Sequence, residues 1–348
     1  MAHASDQLLT SLLKEVSRSF YLTVRVLPGK IRSQIGLAYL LARTTDTIAD
    51  TELVPEEKRL EALQALRERI LGTTALPLKF DDFTRQQSSA AEASLVEKCE
   101  ESLALLANLS AADLQLVRDC LNTIISGQEL DLRRFANDGP VRLEAGASEG
   151  GVGRPVIALR TDEELDDYIY RVGGCVGEFW TRICRAHLFP RAPVDEVFLL
   201  INGVRFGKGL QLVNILRDLP ADLRHGRCYL PEEKLTAHGL RAEELLEPAN
   251  ETRFRPLYNS YLERAQAHLL AGWEYTKALP RGCALVRLAC AWPIMIGLET
   301  IKLLGTQKVL DPNHKIKISR ARVKQQMLRS TLLYPWPRAW NRLAWPAI

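Results

Sequence analysis

An all-α fold is what this sequence predicts, and three observations carry the reading. Apolar residues recur at helical spacing along nearly the whole chain, and strand-like alternation is confined to one short region. The 348 residues contain no Pro/Ser-rich linker, charge block or internal repeat to divide them, so a single domain over 1–348 is expected. With 47% hydrophobic residues the chain is able to bury a substantial core, and a helical bundle around a deep apolar cavity is the natural architecture.

Taken in order, the periodicity predicts helices over Leu8–Val16, Arg32–Asp50, Pro55–Leu71, Ala90–Leu106, Ala111–Phe135, Asp162–Leu188, Val194–Asp218, Arg255–Leu279 and Ala284–Leu304. Several start at Asp, Ser or Pro, residues that favour helix N-termini. The exception is Val141–Arg160, where VRLEA and VIALR flank a Gly-rich stretch from Gly146 to Gly153 and suggest a short hairpin or flap.

Two aspartate pairs stand out: Asp46 and Asp50 in RTTDTIAD, and Asp218 and Asp222 in NILRDLPAD. Four residues apart on a helix puts both carboxylates on one face, roughly 6 Å apart along the axis. Tyr39, Arg43, Asp46 and Asp50 share one stripe of an otherwise apolar helix, as do Gly207, Gln211, Asn214, Asp218 and Asp222 on another. Mg²⁺ binds through one or two carboxylates plus substrate phosphates, so two facing pairs suit a diphosphate ligand. Asn214 either completes the metal shell or bonds a neighbouring helix. Pro220 lacks a backbone donor and clashes with the carbonyl four residues back, so the helix is expected to kink or end there, leaving Asp222 on a bend.

The net charge of +4 does not imply nucleic acid. Seven cysteines without a CxxC pair point to reduced thiols rather than disulfides or zinc, and the six histidines have no metal-binding spacing. MAHASDQLL is not a targeting segment, and no stretch reaches the roughly 18 apolar residues of a membrane span. The nearest, Leu285–Leu298, is interrupted by Arg287 and Pro293. Residues 334–348 hold Trp336, Trp340 and Trp345 beside Arg338 and Arg342, which suits either a membrane headgroup zone or packing on the domain's own surface. A cytoplasmic monomer, or one peripheral at the inner face of the membrane, is expected.

Five ordered motifs give the chain a family resemblance. SRSFYLTVRVLP (Ser17–Pro28), YLLARTTDTIAD (Tyr39–Asp50), ISGQELDL (Ile125–Leu132), YIYRVGGCVG (Tyr168–Gly177) and QLVNILRDLPADLRHGRCYLP (Gln211–Pro231) resemble the squalene and phytoene synthase family, and within it squalene synthase. DTIAD has Asp-Thr where phytoene synthases usually double the aspartate. The resemblance implies an α-helical isoprenoid synthase fold. It implies head-to-head joining of two farnesyl diphosphates to presqualene diphosphate, then NADPH-dependent reduction to squalene.

On that resemblance Asp46, Asp50, Asp218 and Asp222 hold Mg²⁺, while Arg18, Arg43, Arg217 and Arg227, with Tyr39, Gln211 and Asn214, meet the substrate. Each arginine otherwise forms an ordinary ion pair. Tyr168 matches the tyrosine placed beside the reacting carbons, and Gly173, Gly174 and Gly177 make room for a prenyl chain, allow close helix packing, or do both. No GxGxxG follows a strand, so NADPH is assigned by resemblance to KIKISRARVK, with Lys317 and Arg320 as its candidates. That segment departs from the squalene synthase pattern at Ser319, and ACAWP (Ala289–Pro293) has Ala where an aromatic is common. A sister enzyme making presqualene diphosphate, hydroxysqualene, dehydrosqualene or phytoene is the second reading, and a noncatalytic prenyl-diphosphate-binding scaffold the third.

Overall fold

The computed structural model describes residues 12–16, 20–87, 89–135 and 155–344. Among these the chain runs α1 (Phe20–Val26), α2 (Gly29–Ala49), α3 (Glu56–Leu71), α4 (Asp81–Arg85), α5 (Ala90–Glu97), α6 (Cys99–Leu106), α7 (Ala111–Arg134), β1 (Ile157–Leu159) and α8 (Asp162–Ile169). A π-helical turn over Tyr170–Gly174 leads into α9 (Cys175–Leu188). Then follow α10 (Glu196–Arg224), β2 (Arg227–Pro231), α11 (Glu232–Ala237), α12 (Glu251–Ala278), α13 (Ala284–Thr306), α14 (Arg320–Leu333) and α15 (Pro337–Asn341). The fold is all-α.

Local chemistry accounts for the boundaries. Gly72 at φ 76° ends α3, a left-handed conformation that costs glycine little. Asp195 caps α10 by accepting from the Phe198 amide at 2.9 Å, and Thr161 caps α8 by accepting from Glu164. The helix expected over Ala90–Leu106 is two, α5 and α6, divided at Lys98. The one expected over Asp162–Leu188 is interrupted by the π-helical turn. VIALR supplies β1, which pairs in parallel with β2, Ile157 opposite Arg227 and Ala158 opposite Cys228. VRLEA, the other arm of the expected hairpin, lies with residues 136–154 outside the described residues.

The chain divides into two compact units. The first comprises Met1–Arg133, Cys175–Val194 and Pro280–Ala289, the second Arg134–Gly174, Asp195–Leu279 and Cys290–Ile348.

In the first unit α2 is central, packing on α1, α3, α5, α6 and α9. Leu37, Leu40, Leu41 and Ile48 are at most 1% exposed because those neighbours cover nearly the whole helix. Buried Asp113 on α7 accepts from Gln34 Nε2 on α2 at 3.1 Å and bonds His187 Nε2 on α9 at 2.7 Å, tying three helices at one carboxylate. Burial alone would raise that carboxyl's pKa, but the bonds from His187 and Gln34 hold it below its ordinary value.

In the second unit α10 is central and packs along α12. Of the two outcomes expected at Pro220, an end is ruled out: α10 runs on to Arg224 with the proline inside it. The proline deprives the Leu216 carbonyl of its amide donor, and the hydroxyl of fully buried Tyr258 on α12 donates to that oxygen at 3.0 Å. Asp222 thus stays on the same helix as Asp218.

The seven cysteines are free, six of them buried. Helix α13 has mean hydropathy 1.5 over its most apolar stretch, long and apolar enough to cross a membrane despite Arg287 and Pro293, although 67% of that stretch is buried. Of the tail, Trp340 packs on the second unit: it is 1% exposed and stacked on Trp273 at 4.7 Å, and Trp273 Nε1 donates to the Asn341 carbonyl at 3.1 Å. Trp336 is exposed, and Trp345 lies outside the described residues.

Tyr258→Phe leaves the Leu216 carbonyl buried without a donor and is expected to cost ~1–3 kcal/mol in urea unfolding. In a Pro220→Ala background, where an amide donor is restored, the same change should cost measurably less. Equal losses in both backgrounds would show that the hydroxyl does not compensate for the proline.

Candidate active site

From Gln34 to the end of α2 the residues that escape burial are Tyr39, Ala42, Arg43 and Asp46, and Asp50 follows at the helix cap. The acidic stripe is therefore the accessible face of a helix otherwise enclosed in protein. Asp50 keeps helical dihedrals, φ −85° and ψ −2°, and its amide bonds the Asp46 carbonyl at 2.9 Å, so the two carboxylates share a face. Asp50 also sits at the negative end of the helix dipole, which disfavours a lone carboxylate there and favours a cation beside it.

Arg43 bonds Asp46 and reaches Glu92 on α5 at 2.7 Å with its other arm. Burial pulls the guanidinium pKa down, but the charges of Asp46 and Glu92 carry it above the ordinary arginine value. Glu92 was not anticipated from the sequence; its only signal there is its place in the first turn of a helix.

The second unit repeats the arrangement. On α10, Leu212, Val213, Ile215, Leu216, Leu219 and Leu223 are buried, while Gln211, Asn214, Arg217, Asp218 and Asp222 remain accessible. Arg217 grips its neighbour with a fork, Nε to Oδ1 at 2.9 Å and Nη2 to Oδ2 at 2.5 Å, and this bond to Asp218 raises the guanidinium pKa. Asn214 is exposed, so the helix-to-helix amide bond weighed as its alternative role is not what holds it.

Tyr168 on α8 is buried and stacks on Tyr229 of β2, ring centres 4.8 Å apart, with the two hydroxyls 3.4 Å apart. Phe135 meets Tyr229 edge-on at 5.3 Å. Neither Tyr229 nor Phe135 was singled out from the sequence. Tyr229 was legible in principle as the apolar-aromatic centre of RCYLP, but only the pairing of β2 with β1 carries it to Tyr168.

A set of ion pairs holds α8 in place. Asp166 accepts from Lys208 at 2.6 Å and Arg264 at 2.9 Å, and Asp162 accepts from Arg264 at 3.1 Å and from the Tyr261 hydroxyl at 2.8 Å. Asp162, Asp166, Lys208 and Arg264 line a cleft of about 480 Å³ with Glu163, Asp167 and Tyr170. Because its charges are paired with one another, this cleft fixes α8 against α10 and α12 and so positions Tyr168.

Gly173 and Gly207 meet backbone to backbone: a Cβ on Gly207 would lie 2.1 Å from the Gly173 carbonyl oxygen. Close packing is thus what these glycines do, and the π-helical turn sits at the contact, where irregular helix commonly marks functional sites.

Arg227 opens β2, half-buried. Lys317 and Arg320 are exposed, and Ser319 between them caps α14 by accepting from the Arg322 amide at 3.2 Å, so its departure from the expected motif has a structural reason. Arg18 lies outside the described residues.

Among the described residues no three His, Cys, Asp or Glu side chains form a ready-made metal cage. The donor set nevertheless fits Mg²⁺: accessible carboxylates in pairs, Asp46 45% and Asp218 49% exposed in their side chains, with room for water and phosphate ligands.

The family model for squalene/phytoene synthase matches residues 13–322. A 15-cis-phytoene synthase of Synechocystis sp. is 27% identical, over 86% of this chain and 74% of its own. A presqualene diphosphate synthase of Rhodopseudomonas palustris is 29% identical, over 76% of both. A bifunctional lycopene cyclase/phytoene synthase of Phaeosphaeria nodorum is 30% identical over 90% of this chain, which spans about half, 47%, of that relative's length. Among solved structures, TcSQS with the ligand E5700 superposes with a TM-score of 0.73 at 21% identity, over 97% of this chain and 95% of that one, a likeness of fold.

Gly207→Ala forces the Gly173 carbonyl away from α10 and is expected to cost ~1–3 kcal/mol in stability. Turnover should fall further than stability does at a temperature where the variant is fully folded. A variant with ordinary turnover would show that the contact does not position Tyr168.

Proposed function

The chain belongs to the squalene/phytoene synthase family of prenyltransferases, and from that premise we propose that it joins two farnesyl diphosphates head to head to presqualene diphosphate and then, with NADPH, to squalene. The observation that supports this reading is the recurrence, on the C-terminal half of α2 and of α10, of an accessible stripe that ends in paired aspartates beside buried apolar residues. In this proposal Asp46, Asp50, Asp218 and Asp222 hold Mg²⁺, with Asn214 holding the metal or one of its waters. Bound Mg²⁺ would neutralise the diphosphate so that the allylic C–O bond ionises.

The chain's own residues supply the rest. Arg43 and Arg217 are each held extended on an aspartate, and exchanging that carboxylate for diphosphate oxygens keeps each guanidinium paired throughout. Arg18 and Arg227 would add further forks, and Tyr39 and Gln211 polar contacts along the stripes. The stacked Tyr168 and Tyr229 offer a buried, electron-rich wall for an allylic cation and exclude water from it. Lys317 and Arg320 flank the capped start of α14, where the first amides of the helix also favour a phosphate, and we assign them the nucleotide.

A second reading, in which no reduction occurs, draws support from the relatives, which are named for phytoene and presqualene diphosphate synthesis. The two are separated by incubating the protein with farnesyl diphosphate and Mg²⁺, with and without NADPH, and identifying the product. Squalene that depends on NADPH supports the first reading, and one product in both conditions refutes it. Replacing Lys317 and Arg320 together by Ala should lower squalene and let presqualene diphosphate accumulate. Asp46→Asn and Asp218→Asn each remove charge but not volume, and turnover should fall by at least about a hundredfold with the thermal melt unchanged. Near wild-type turnover in either variant would contradict the metal assignment.

A further inference from the structure

We propose that the outer face of α14, continued by Trp336, is a docking surface for an anionic lipid bilayer. The proposal goes beyond the condensation chemistry and relocates the membrane contact from the tail's tryptophans, since Trp340 is consumed in the stack on Trp273.

One side of α14 is fixed to the protein: Ser330 is fully buried and its hydroxyl accepts from Trp292 Nε1 at 3.0 Å. The opposite side presents Leu328 at 61% and Leu332 at 60% exposure, four residues apart, and Trp336 follows four residues on at 62%. Two leucines on one outward helix face, followed by an exposed tryptophan just past the helix end, are a poor fit to water. Lys324, Arg329 and Arg338, all exposed, flank them.

Charge decides the occupant. From Pro312 to the last residue the chain holds eight Lys and Arg and no Asp or Glu, twice the net charge of +4 carried by the whole protein, so the remainder is net acidic. A second copy apposed through the same face would bring like charge to like charge. A phosphate-bearing bilayer surface takes the leucines and the indole into its interfacial zone while the basic side chains reach its headgroups.

Flotation of the full chain with vesicles tests this, using phosphatidylcholine alone or mixed with phosphatidylglycerol and omitting Mg²⁺ and substrate. Wild type should float with the anionic vesicles, and less so at raised salt. Replacing Leu328, Leu332 and Trp336 together by Ser should weaken binding by at least about a hundredfold. Lys324→Gln, Arg329→Gln and Arg338→Gln combined should weaken it about a hundredfold through charge alone, without touching the apolar face. Wild type that fails to float, floats equally with neutral vesicles, or floats undiminished in both variants overturns the proposal. So does a wild-type dimer that the serine variant turns into monomer, which would assign the face to a second copy. Turnover in detergent is read separately: a protein that floats but makes no prenyl product contradicts the proposed reaction alone, and a detergent-active protein that does not float contradicts the docking surface alone.

Discussion

Where a helix is flanked by buried apolar residues, it is able to carry carboxylates only along the line where they meet water, a cation or an arginine. That constraint shapes both units. On α2 the line holds Tyr39, Arg43, Asp46 and Asp50, and on α10 it holds Gln211, Asn214, Asp218 and Asp222. Burying an unpaired carboxylate costs several kcal/mol or forces it to take up a proton. The first aspartate of each pair has an arginine beside it, Arg43 or Arg217, so each charge is already compensated. The same carboxylates, moderately exposed, remain open to a hard cation. In the proposed reaction each arginine would exchange its aspartate for diphosphate oxygens while the cation takes up the carboxylate.

Keeping those lines on continuous helices requires compensation elsewhere. Pro220 lies between Asp218 and Asp222 and removes a bond from the helix, and the Tyr258 hydroxyl supplies it from α12. Gly207 lets α10 approach the π-helical turn until backbones touch. The ion pairs of Asp162 and Asp166 with Lys208 and Arg264 hold α8 down, which places Tyr168 against Tyr229. Ion pairs away from the tyrosines thus decide where the Tyr168–Tyr229 stack stands.

Much of this was legible in the sequence. The 3.6-residue periodicity gave the main helices, and the spacing of the stripes gave their shared faces, because both follow from local geometry. The end of α10 was misjudged at Pro220, since the donor that rescues it sits 42 residues away. Tyr229, Glu92 and Phe135 went unnoticed because their roles arise from tertiary pairing. Helix α14 has a weaker signature: its inward side is Val323, Met327, Ser330 and Leu333, only Ser330 of them fully buried, while Leu328 and Leu332 face outward and blur the pattern. The alternatives left open for the tail are resolved for Trp340, which packs on Trp273.

The central claim is that paired aspartates bind diphosphate through Mg²⁺. Calorimetric titration with the non-ionising analogue farnesyl thiodiphosphate addresses it without depending on which hydrocarbon is made. Tight binding that requires Mg²⁺ and weakens by about a hundredfold or more in Asp46→Asn or Asp218→Asn is the result this account requires. Binding of equal strength without the metal, or undiminished in both variants, would contradict it.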